Sequence, residues 1–243
     1  MDMNSPIGKE ILALVRKGDY AHAGEEEAVD LVFKNIPRDP KRLLIDVGCG
    51  RGGTANYIQN KGWGRVTGID IDAESIVYAK KRYPDIEFLA SDIIKPEVRL
   101  QNRFDIAYLF NSFYAFPDHV GALREIRSLC RARLGQVIIF DYTLKAGSGR
   151  EFPFEDWNPI DLSVAKTLFD EADFRISKIE DISHLYKIWY NRLVSLIEKN
   201  SSLITALAGR EWFDYVASFY RGIAGAIARD ILGGAIIYAV LAV

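Results

Sequence analysis

The sequence lacks the features that mark secreted, membrane-spanning and nucleic-acid-binding proteins. Its two cysteines, Cys49 and Cys130, are too few for a disulfide framework. The longest apolar run, residues 231–243, has 13 residues and two glycines, so it is too short to cross a bilayer. The net charge of −2 gives no basic excess for a nucleic acid. Since the amino terminus also shows no secretory signal, we expect a soluble cytoplasmic protein with no membrane span and no nucleic-acid partner.

Histidines and repeats are scarce as well. The three histidines, His22, His119 and His184, stand far apart, so their spacing predicts no metal site. No internal repeat or low-complexity segment is visible. The chain has 243 residues, of which 49% are hydrophobic, and this is enough to cover both faces of a sheet in one α/β domain.

Strands and helices alternate along most of the chain, a pattern typical of a parallel sheet. We predict strands at 43–47, 65–71, 86–90, 104–110, 136–142, 174–182 and 235–243. Helices are predicted in two pieces within 5–36, at 52–61, after Asp72, and at 117–131, 161–172, 184–200 and 210–229. A loop follows strand five and contains Gly147, Gly149, Pro153 and Pro159. The predicted single domain divides into a helical cap at 1–37, a core at 38–183, a helical lid insert at 184–230 and a last strand at 231–243.

The first strand leads into a glycine-rich turn that suits a bound cofactor. The apolar run Leu43–Val47 is followed by Gly48 and Gly50, and a helix is predicted to begin near Gly52. Glycine has no Cβ, so the turn can be tight and a ligand can approach the backbone closely. The free N–H groups at the start of the helix favour the carboxylate, ribose or phosphate end of a nucleotide-like molecule.

Four segments together resemble the motifs of class I S-adenosylmethionine-dependent methyltransferases. They are residues 44–52, with an acidic residue two places before a G-x-G-x-G turn, residues 68–72, Ser91-Asp92, and residues 104–111. The helices at both ends are similar to those of small-molecule methyltransferases of the sarcosine, phosphoethanolamine and sterol type. The resemblance implies S-adenosyl-L-methionine as the cofactor. It also implies a doubly wound α/β fold with a seven-stranded sheet, order 3-2-1-4-5-7-6, in which strand seven is antiparallel.

A dinucleotide-binding protein is the main competing interpretation. Gly48, Gly50 and Gly53 also satisfy the G-x-G-x-x-G fingerprint, and Asp70 follows Gly50 by 20 residues, about where a ribose carboxylate is expected. The glycines alone therefore leave an NAD-dependent oxidoreductase open. The acidic residue before the turn and the third and fourth motifs favour the methyltransferase. Little chain also remains for the second domain that a dehydrogenase usually needs.

The resemblance implies a role for each residue around the turn. Asp70 would accept hydrogen bonds from the ribose hydroxyls, and Asp46 would orient the turn amides or the ammonium of the methionine moiety. Asp92 would accept from the adenine amino group, with Ile71 and Ile93 on the two faces of the ring. Cys49 is interpreted as a small turn residue rather than a nucleophile. The full predicted cofactor set is Asp46, Gly48, Cys49, Gly50, Asp70, Ile71, Ser91, Asp92, Ile93, Tyr20, His22, and Phe110 through its carbonyl.

Catalytic groups are harder to predict, because methyl transfer from a sulfonium needs mainly alignment of the nucleophile. Asn111 and Tyr114 leave strand four at the edge where ligands collect, so both are candidates. A general base is needed only when the nucleophile carries a proton at attack. Tyr20 and His119 are candidates for this role, with His22 as a further one.

The lid insert is rich in aromatic residues, and ordinary amphipathic packing explains most of them. The remainder could line a lid over an apolar substrate, or over an amine that becomes cationic on methylation. These aromatic residues are Tyr186, Trp189, Tyr190, Trp212, Phe213, Tyr215, Phe219 and Tyr220.

Three function classes follow from these observations. The first is a methyltransferase acting on a nitrogen, oxygen or carbon atom of a small molecule, as a monomer or a homodimer. The second is a nucleic-acid or protein methyltransferase. Methylation of base amino groups is disfavoured because residues 111–114 read Asn-Ser-Phe-Tyr and lack the proline pair typical of that reaction. The third is a cofactor-binding module without catalysis.

Overall fold

The protein is described by a computed structural model that covers residues 1–132, 134–145, 154 and 156–242. Gly147, Gly149 and Pro153 of the predicted loop lie outside the described residues. Val243, the final residue of the predicted last strand, lies outside them too.

The described strands form one sheet in the order β3-β2-β1-β4-β5-β8-β7, with β6 beside β5. They are β1 Leu43–Val47, β2 Arg65–Asp70, β3 Glu87–Ala90, β4 Ile106–Phe110, β5 Gln136–Leu144, β6 Ile160–Asp161, β7 Phe174–Asp181 and β8 Leu232–Leu241. Strand β8 is antiparallel to both of its neighbours, and the other pairs are parallel. Because β7 and β8 are the predicted strands six and seven, the predicted order and the single reversed strand are confirmed.

Helices cover both faces of this sheet. They are α1 Pro6–Arg16, α2 Glu25–Phe33, α3 Gly53–Asn60, α4 Ala73–Arg82, α5 His119–Leu129, α6 Ala165–Glu171, α7 Ser183–Lys199, α8 Ser201–Ala208 and α9 Arg210–Ala228. One face packs against α1 to α4 and α7 to α9, and the other against α5 and α6. The apolar strands are therefore buried on both sides, as a doubly wound sheet requires. None of the described helices is long and apolar enough to cross a membrane.

Three details of the sequence prediction were wrong. The short strand β6 was not predicted; it pairs with the end of β5 and delays α6 to Ala165. The helix α8 was also missed, because Asn200 and Gly209 alone separate it from the long helices on either side. Strand four begins at Ile106, since Phe104 makes only an isolated bridge to Cys130.

The last strand begins earlier than predicted, at Leu232. Gly233 and Gly234 lie near the start of this strand, where side chains of α7 come very close. A Cβ at Gly234 would lie 2.4 Å from the ring of Tyr186, and one at Gly233 would lie 2.4 Å from the Ser183 hydroxyl. The glycines therefore allow α7 to pack on the sheet, although their low strand propensity hid the strand in the sequence.

Candidate functional site

The glycine-rich turn after β1 opens onto free space at the carboxyl end of the sheet. Gly48 and Gly50 have φ angles of 78° and 52°, in the left-handed region that favours glycine. The amides of Gly48 and Cys49 donate to the carbonyl of Ile69 at 2.8 and 3.0 Å, which fixes the turn against β2. A Cβ at Gly48 would lie 2.5 Å from the Cβ of Ser112, whereas one at Gly50 would meet nothing within 4 Å. Gly50 therefore presents bare backbone to the open side.

Asp70, at the end of β2, joins two turns through its carboxylate. Oδ2 accepts from the amide of Gly50 at 2.7 Å, and Oδ1 accepts from the amide of Asp72 at 2.9 Å. Its backbone carbonyl accepts from the amide of Ser91 at 2.9 Å, so the end of β3 is anchored to the same residue. Each carboxylate oxygen can accept a second hydrogen bond, and Asp70 is half-buried, so it remains able to bind a hydroxyl. Asp72 separately caps α4 by accepting from the amide of Glu74.

An apolar platform lies next to this carboxylate. Ile71 is 75% exposed, which is unusual for an isoleucine at the end of a buried strand. Asp92 is also exposed; its Oδ1 accepts from the amide of Ile94 at 2.9 Å. Ile93, by contrast, is buried in the core beside Val47 and Ile69 and offers little open face. The geometry therefore provides one apolar face and one carboxylate for a flat polar ring.

Asp46 is a buried carboxyl directly below the turn. Its Oδ2 has no hydrogen-bond partner among the described residues. Burial, together with the smaller effect of the Asp70 charge, raises the pKa of Asp46 to about 8, although the Tyr108 hydroxyl opposes the shift. A buried acceptor that lacks a donor is costly, and a ligand that supplies a cationic donor would relieve that cost.

The amino-terminal segment lies over the turn. Lys9 of α1 forms an ion pair with Asp72 and donates to the hydroxyl of Ser75 at 2.8 Å. Arg51, inside the turn, donates to Glu10 at 2.8 Å and to the carbonyl of Pro6 at 3.0 Å. These contacts hold α1 against the turn and the start of α4.

Tyr20 and His22, predicted to lie over the cofactor, occupy different positions. Tyr20 lines a small cavity together with Gly50 and Arg51, and its hydroxyl donates to Glu26 at 3.3 Å. His22 is buried, with its ring nitrogens 2.9 Å from the Thr54 hydroxyl and 3.1 Å from the carbonyl of Ala23. Burial lowers the pKa of His22 to about 3, so it is neutral at physiological pH. Its contacts attach the loop to α3 and do not reach the small cavity.

A larger cavity of about 600 Å³ lies next to this small cavity. Its walls come from the amino-terminal segment, the carboxyl ends of β4 and β5, the segment before β6, and α9. The lining residues are Met1, Asp2, Met3, Asn4, Lys9, Leu12, Ala21, Asn111, Tyr114, Ala115, Tyr142, Phe154, Asp156, Trp157, Tyr215, Phe219, Tyr220 and Ile223. The smaller cavity shares Lys9, Leu12 and Ala21 with it, so the two cavities are neighbours.

Asn111 marks the exit of β4 into the larger cavity. Its φ of 49° is unfavourable for a residue other than glycine, and such strain concentrates at functional sites. Its side-chain amide donates to the hydroxyl of Tyr186 at 3.0 Å. The following turn is fixed by buried Asp141, which accepts from the amide of Phe113 at 2.6 Å and from that of Tyr142 at 2.7 Å. Burial raises the pKa of Asp141 to about 7 despite these hydrogen bonds.

The remaining predicted residues separate into those at the cavity and those in the core. Tyr114 lines the cavity, and burial raises the pKa of its hydroxyl. His119 does not line it; its ring stacks on Phe113 at 4.3 Å on the α5 side of the sheet. Phe110 packs its ring 4.7 Å from that of His22. The thiol of Cys49 is buried and its pKa is raised by burial, so it is a poor nucleophile.

The aromatic rings of the insert also separate into rings in the core and rings at the larger cavity. Tyr186, Trp189 and Tyr190 are buried in the core, while Tyr215, Phe219 and Tyr220 of α9 line the larger cavity. The sequence analysis missed Lys9 and Trp157. No local pattern distinguishes Lys9 from other polar residues of α1, and Trp157 stands in an irregular segment whose position depends on the whole fold.

Comparison with known proteins identifies the segment that carries this geometry. Residues 44–133 match a family model described as a methyltransferase domain. The matched segment covers less than half of the chain and is similar to a methyltransferase domain. The match includes β1, the glycine-rich turn, Asp70, Asp92 and the exit of β4, which are the elements that surround the open side of the turn.

Two curated relatives that match part of the chain are also named as methyltransferases. The chain is 38% identical over 77 residues to protein 235L of Invertebrate iridescent virus 6, named as a methyltransferase; this covers 31% of the chain and 27% of that protein. It is 30% identical over 117 residues to trans-aconitate 2-methyltransferase of Escherichia coli, which covers 45% of the chain and 44% of the enzyme. The aligned part thus spans less than half the length of either relative.

The fold of this chain is also found in a solved structure that covers 99% of it. It is phosphoethanolamine N-methyltransferase 2 of Haemonchus contortus, in complex with phosphomonomethylethanolamine and S-adenosylhomocysteine. The TM-score is 0.87 at 17% identity, and the likeness covers 58% of that enzyme. At this identity the likeness shows the fold.

The residues present fit the cofactor of such domains, S-adenosylmethionine. Bare backbone at Gly50, the exposed Ile71 and the unpartnered oxygen of Asp46 supply a close approach, an apolar platform and an acceptor for an ammonium group. All three lie at the carboxyl ends of β1 and β2.

Proposed function

We propose that this protein uses S-adenosylmethionine to methylate a small molecule held in the larger cavity. The observation that carries the proposal is the junction of two spaces. The small cavity, which Gly50 and Arg51 of the glycine-rich turn line, and the 600 Å³ cavity lie side by side and share Lys9, Leu12 and Ala21. A cofactor on the turn and an acceptor in the cavity would therefore be neighbours, enclosed by the same helix.

Each residue of the turn has a binding task under this proposal. Asp70 would accept from the ribose hydroxyls, Ile71 would support the adenine, and Asp92 would accept from its amino group. Asp46 would accept from the ammonium of the methionine moiety, which would favour the ionised carboxylate. When bound, the cofactor supplies an electrophilic methyl group on a sulfonium sulfur.

The other residues would align the acceptor and exclude water. Asn111 and Tyr114 stand where β4 enters the cavity, so they would orient the acceptor atom toward the turn. The strained backbone at Asn111 is held by Asp141 and Tyr186, and this keeps the position rigid. α1, tied down by Lys9 and Arg51, would keep water from the reacting atoms. Of the predicted proton acceptors, His119 and His22 do not line the larger cavity, and burial raises the pKa of the Tyr20 hydroxyl, which disfavours it as a base.

A pair of matched glycine variants tests the proposal. Gly50→Leu should abolish transfer of labelled methyl from S-adenosylmethionine to fractionated small metabolites, because the side chain would project into the space over the turn. Gly62→Leu is the control: Gly62 also has a positive φ, 79°, and a Cβ there also meets nothing within 4 Å, but it lies beyond α3. The control should retain activity. Equal activity in both variants, or no transfer by the wild type to any fraction, would count against the proposal.

A further inference from the structure

We propose that the methyl acceptor is an amine with an apolar body and without carboxylate or phosphate groups. This rests on the proposed function and concerns the larger cavity. Three observations carry it: an aromatic corner beside Asn111, a second aromatic wall opposite, and the distribution of charge around the cavity.

The aromatic corner consists of Tyr114, Tyr142 and Trp157. The ring centroids of Tyr114 and Trp157 are 4.4 Å apart, those of Tyr142 and Trp157 are 4.8 Å apart, and those of Tyr114 and Tyr142 are 5.1 Å apart. Tyr114 follows Asn111 by three residues, so the corner lies where the acceptor atom would meet the turn. Electron-rich ring faces attract ammonium groups, and tryptophan and tyrosine do so most strongly.

The opposite wall is the face of α9. Tyr215, Phe219 and Tyr220 line the cavity from this helix, with Ile223 one turn further along. The centroids of Trp157 and Phe219 are 6.2 Å apart, so the two walls approach each other at one side. These surfaces suit an apolar or aromatic body and offer hydroxyl groups only at the tyrosines.

The charges around the cavity favour a cation. Asp2 and Asp156 stand at its mouth, and neither forms an ion pair with any described residue. Lys9 is the one lysine or arginine among the described lining residues, and Asp72 already pairs with it. Met1, which also lines the cavity, is 59% exposed. An anionic substrate would find acidic groups at the entrance and no unpaired side-chain cation among the described lining.

Arg16 does not alter this balance. Its side chain is only 1% exposed, it pairs with Glu25, and it lies behind Tyr190 and Tyr220 rather than among the lining residues. Because its side chain is buried, a carboxylate or phosphate could reach it only after neighbouring groups moved. The arrangement therefore differs from what a tricarboxylate acceptor needs, which is several accessible cations.

The chemistry also favours an amine. The lone pair of a neutral amine nitrogen forms the new bond to the methyl carbon as the carbon–sulfur bond breaks, and sulfur keeps that electron pair. The positive charge thus passes from sulfur to nitrogen, where the corner rings can stabilise it. When the substrate is a primary or secondary amine, the methylated ammonium that forms then releases a proton to solvent or to a carboxylate at the mouth.

Binding to the protein saturated with S-adenosylhomocysteine tests the proposal without turnover. Calorimetry compares choline, its uncharged tert-butyl analogue dimethylbutanol, and trans-aconitate as a tricarboxylate. Choline should bind about tenfold more tightly than dimethylbutanol, because the two differ in charge and hardly in shape. Trans-aconitate should bind more weakly than either.

Two variants locate the effect. Trp157→Leu should reduce the preference for choline over dimethylbutanol to near unity, while S-adenosylhomocysteine binding stays unchanged. Trp63→Leu is the control; Trp63 packs against Phe33 in the core, away from the cavity. Any instability of that control is read from its melting temperature.

The outcomes separate the two proposals. If S-adenosylhomocysteine binds but choline and dimethylbutanol bind equally, the amine proposal is overturned and the methyltransferase proposal stands. Tighter binding of trans-aconitate would also overturn it and would direct attention to Arg16. If S-adenosylhomocysteine does not bind at all, the proposed function fails and the amine proposal fails with it.

Discussion

Asp46→Asn should make the cofactor-free protein more stable above neutral pH. Burial raises the pKa of the Asp46 carboxyl from 3.8 to about 8. Between these two values the folded protein holds a proton that the unfolded chain has released, so the free energy of unfolding falls as the pH rises. Asparagine has nearly the same shape and no proton to lose, so the variant lacks this loss.

The magnitude follows from the two pKa values. Each pH unit between them lowers the free energy of unfolding by about 1.4 kcal/mol through this one group, and the slope flattens near pH 8. From pH 6 to pH 8 the loss is about 2 kcal/mol, which for a chain of this length corresponds to roughly 4 to 8 °C in melting temperature. The raised pKa of Asp141 acts with the same sign in both proteins, so it cancels in the comparison.

Thermal unfolding of wild type, Asp46→Asn and Asp85→Asn at pH 6, 7 and 8 measures this effect. The gap between Asp46→Asn and wild type should widen by about 4 to 8 °C from pH 6 to pH 8. Asp85→Asn should follow the wild type, because Asp85 is exposed. A gap that stays constant over this range would refute the reasoning, since Asp46 would then not hold a proton in the folded protein.

Further predictions concern the turn and the segment above it. Asp70→Asn should weaken S-adenosylhomocysteine binding by about 1 to 3 kcal/mol in calorimetry, because it removes the charge from the predicted ribose acceptor; an unchanged dissociation constant would reject that role. Lys9→Met should speed cofactor dissociation in stopped-flow measurements by a few-fold, since it breaks the partly exposed ion pair with Asp72, and equal rates would reject a closing role for α1. His22→Asn should make stability less sensitive to acid. Because the pKa of His22 is lowered in the folded protein, only the unfolded chain gains this proton just below about pH 6.5, so the stability of the wild type should fall there. The melting temperatures of the wild type and the variant should therefore converge as the pH is lowered.

The sequence could predict the half of the site that follows from one local pattern. A buried strand, a glycine turn and a carboxylate at the end of the next strand lie within thirty residues of one another along β1, α3 and β2. Adjacent parallel strands bring their carboxyl ends to the same edge, so Asp46, Gly50 and Asp70 had to meet. The order of the strands was predictable for a different reason, because the motifs resemble those of a known family.

The acceptor half could not be predicted, because it is assembled from distant parts of the chain. Lys9, Tyr114, Trp157 and Tyr220 come together only when α1, the segment before β6 and α9 pack on the sheet. Each of these side chains has an ordinary local context, so no spacing distinguishes a lining ring from a core ring. His119 illustrates the converse: it follows β4 closely, but the turn carries it to the other face of the sheet, where it stacks on Phe113.

The central claim, that the glycine-rich turn binds an adenosyl sulfonium cofactor, is tested most directly by calorimetry of the wild-type protein with S-adenosylmethionine, S-adenosylhomocysteine and NAD. We predict one site per chain for each of the first two ligands, loss of both in Gly50→Leu, and no measurable heat with NAD. Binding of NAD together with no binding of S-adenosylmethionine or S-adenosylhomocysteine would contradict the account.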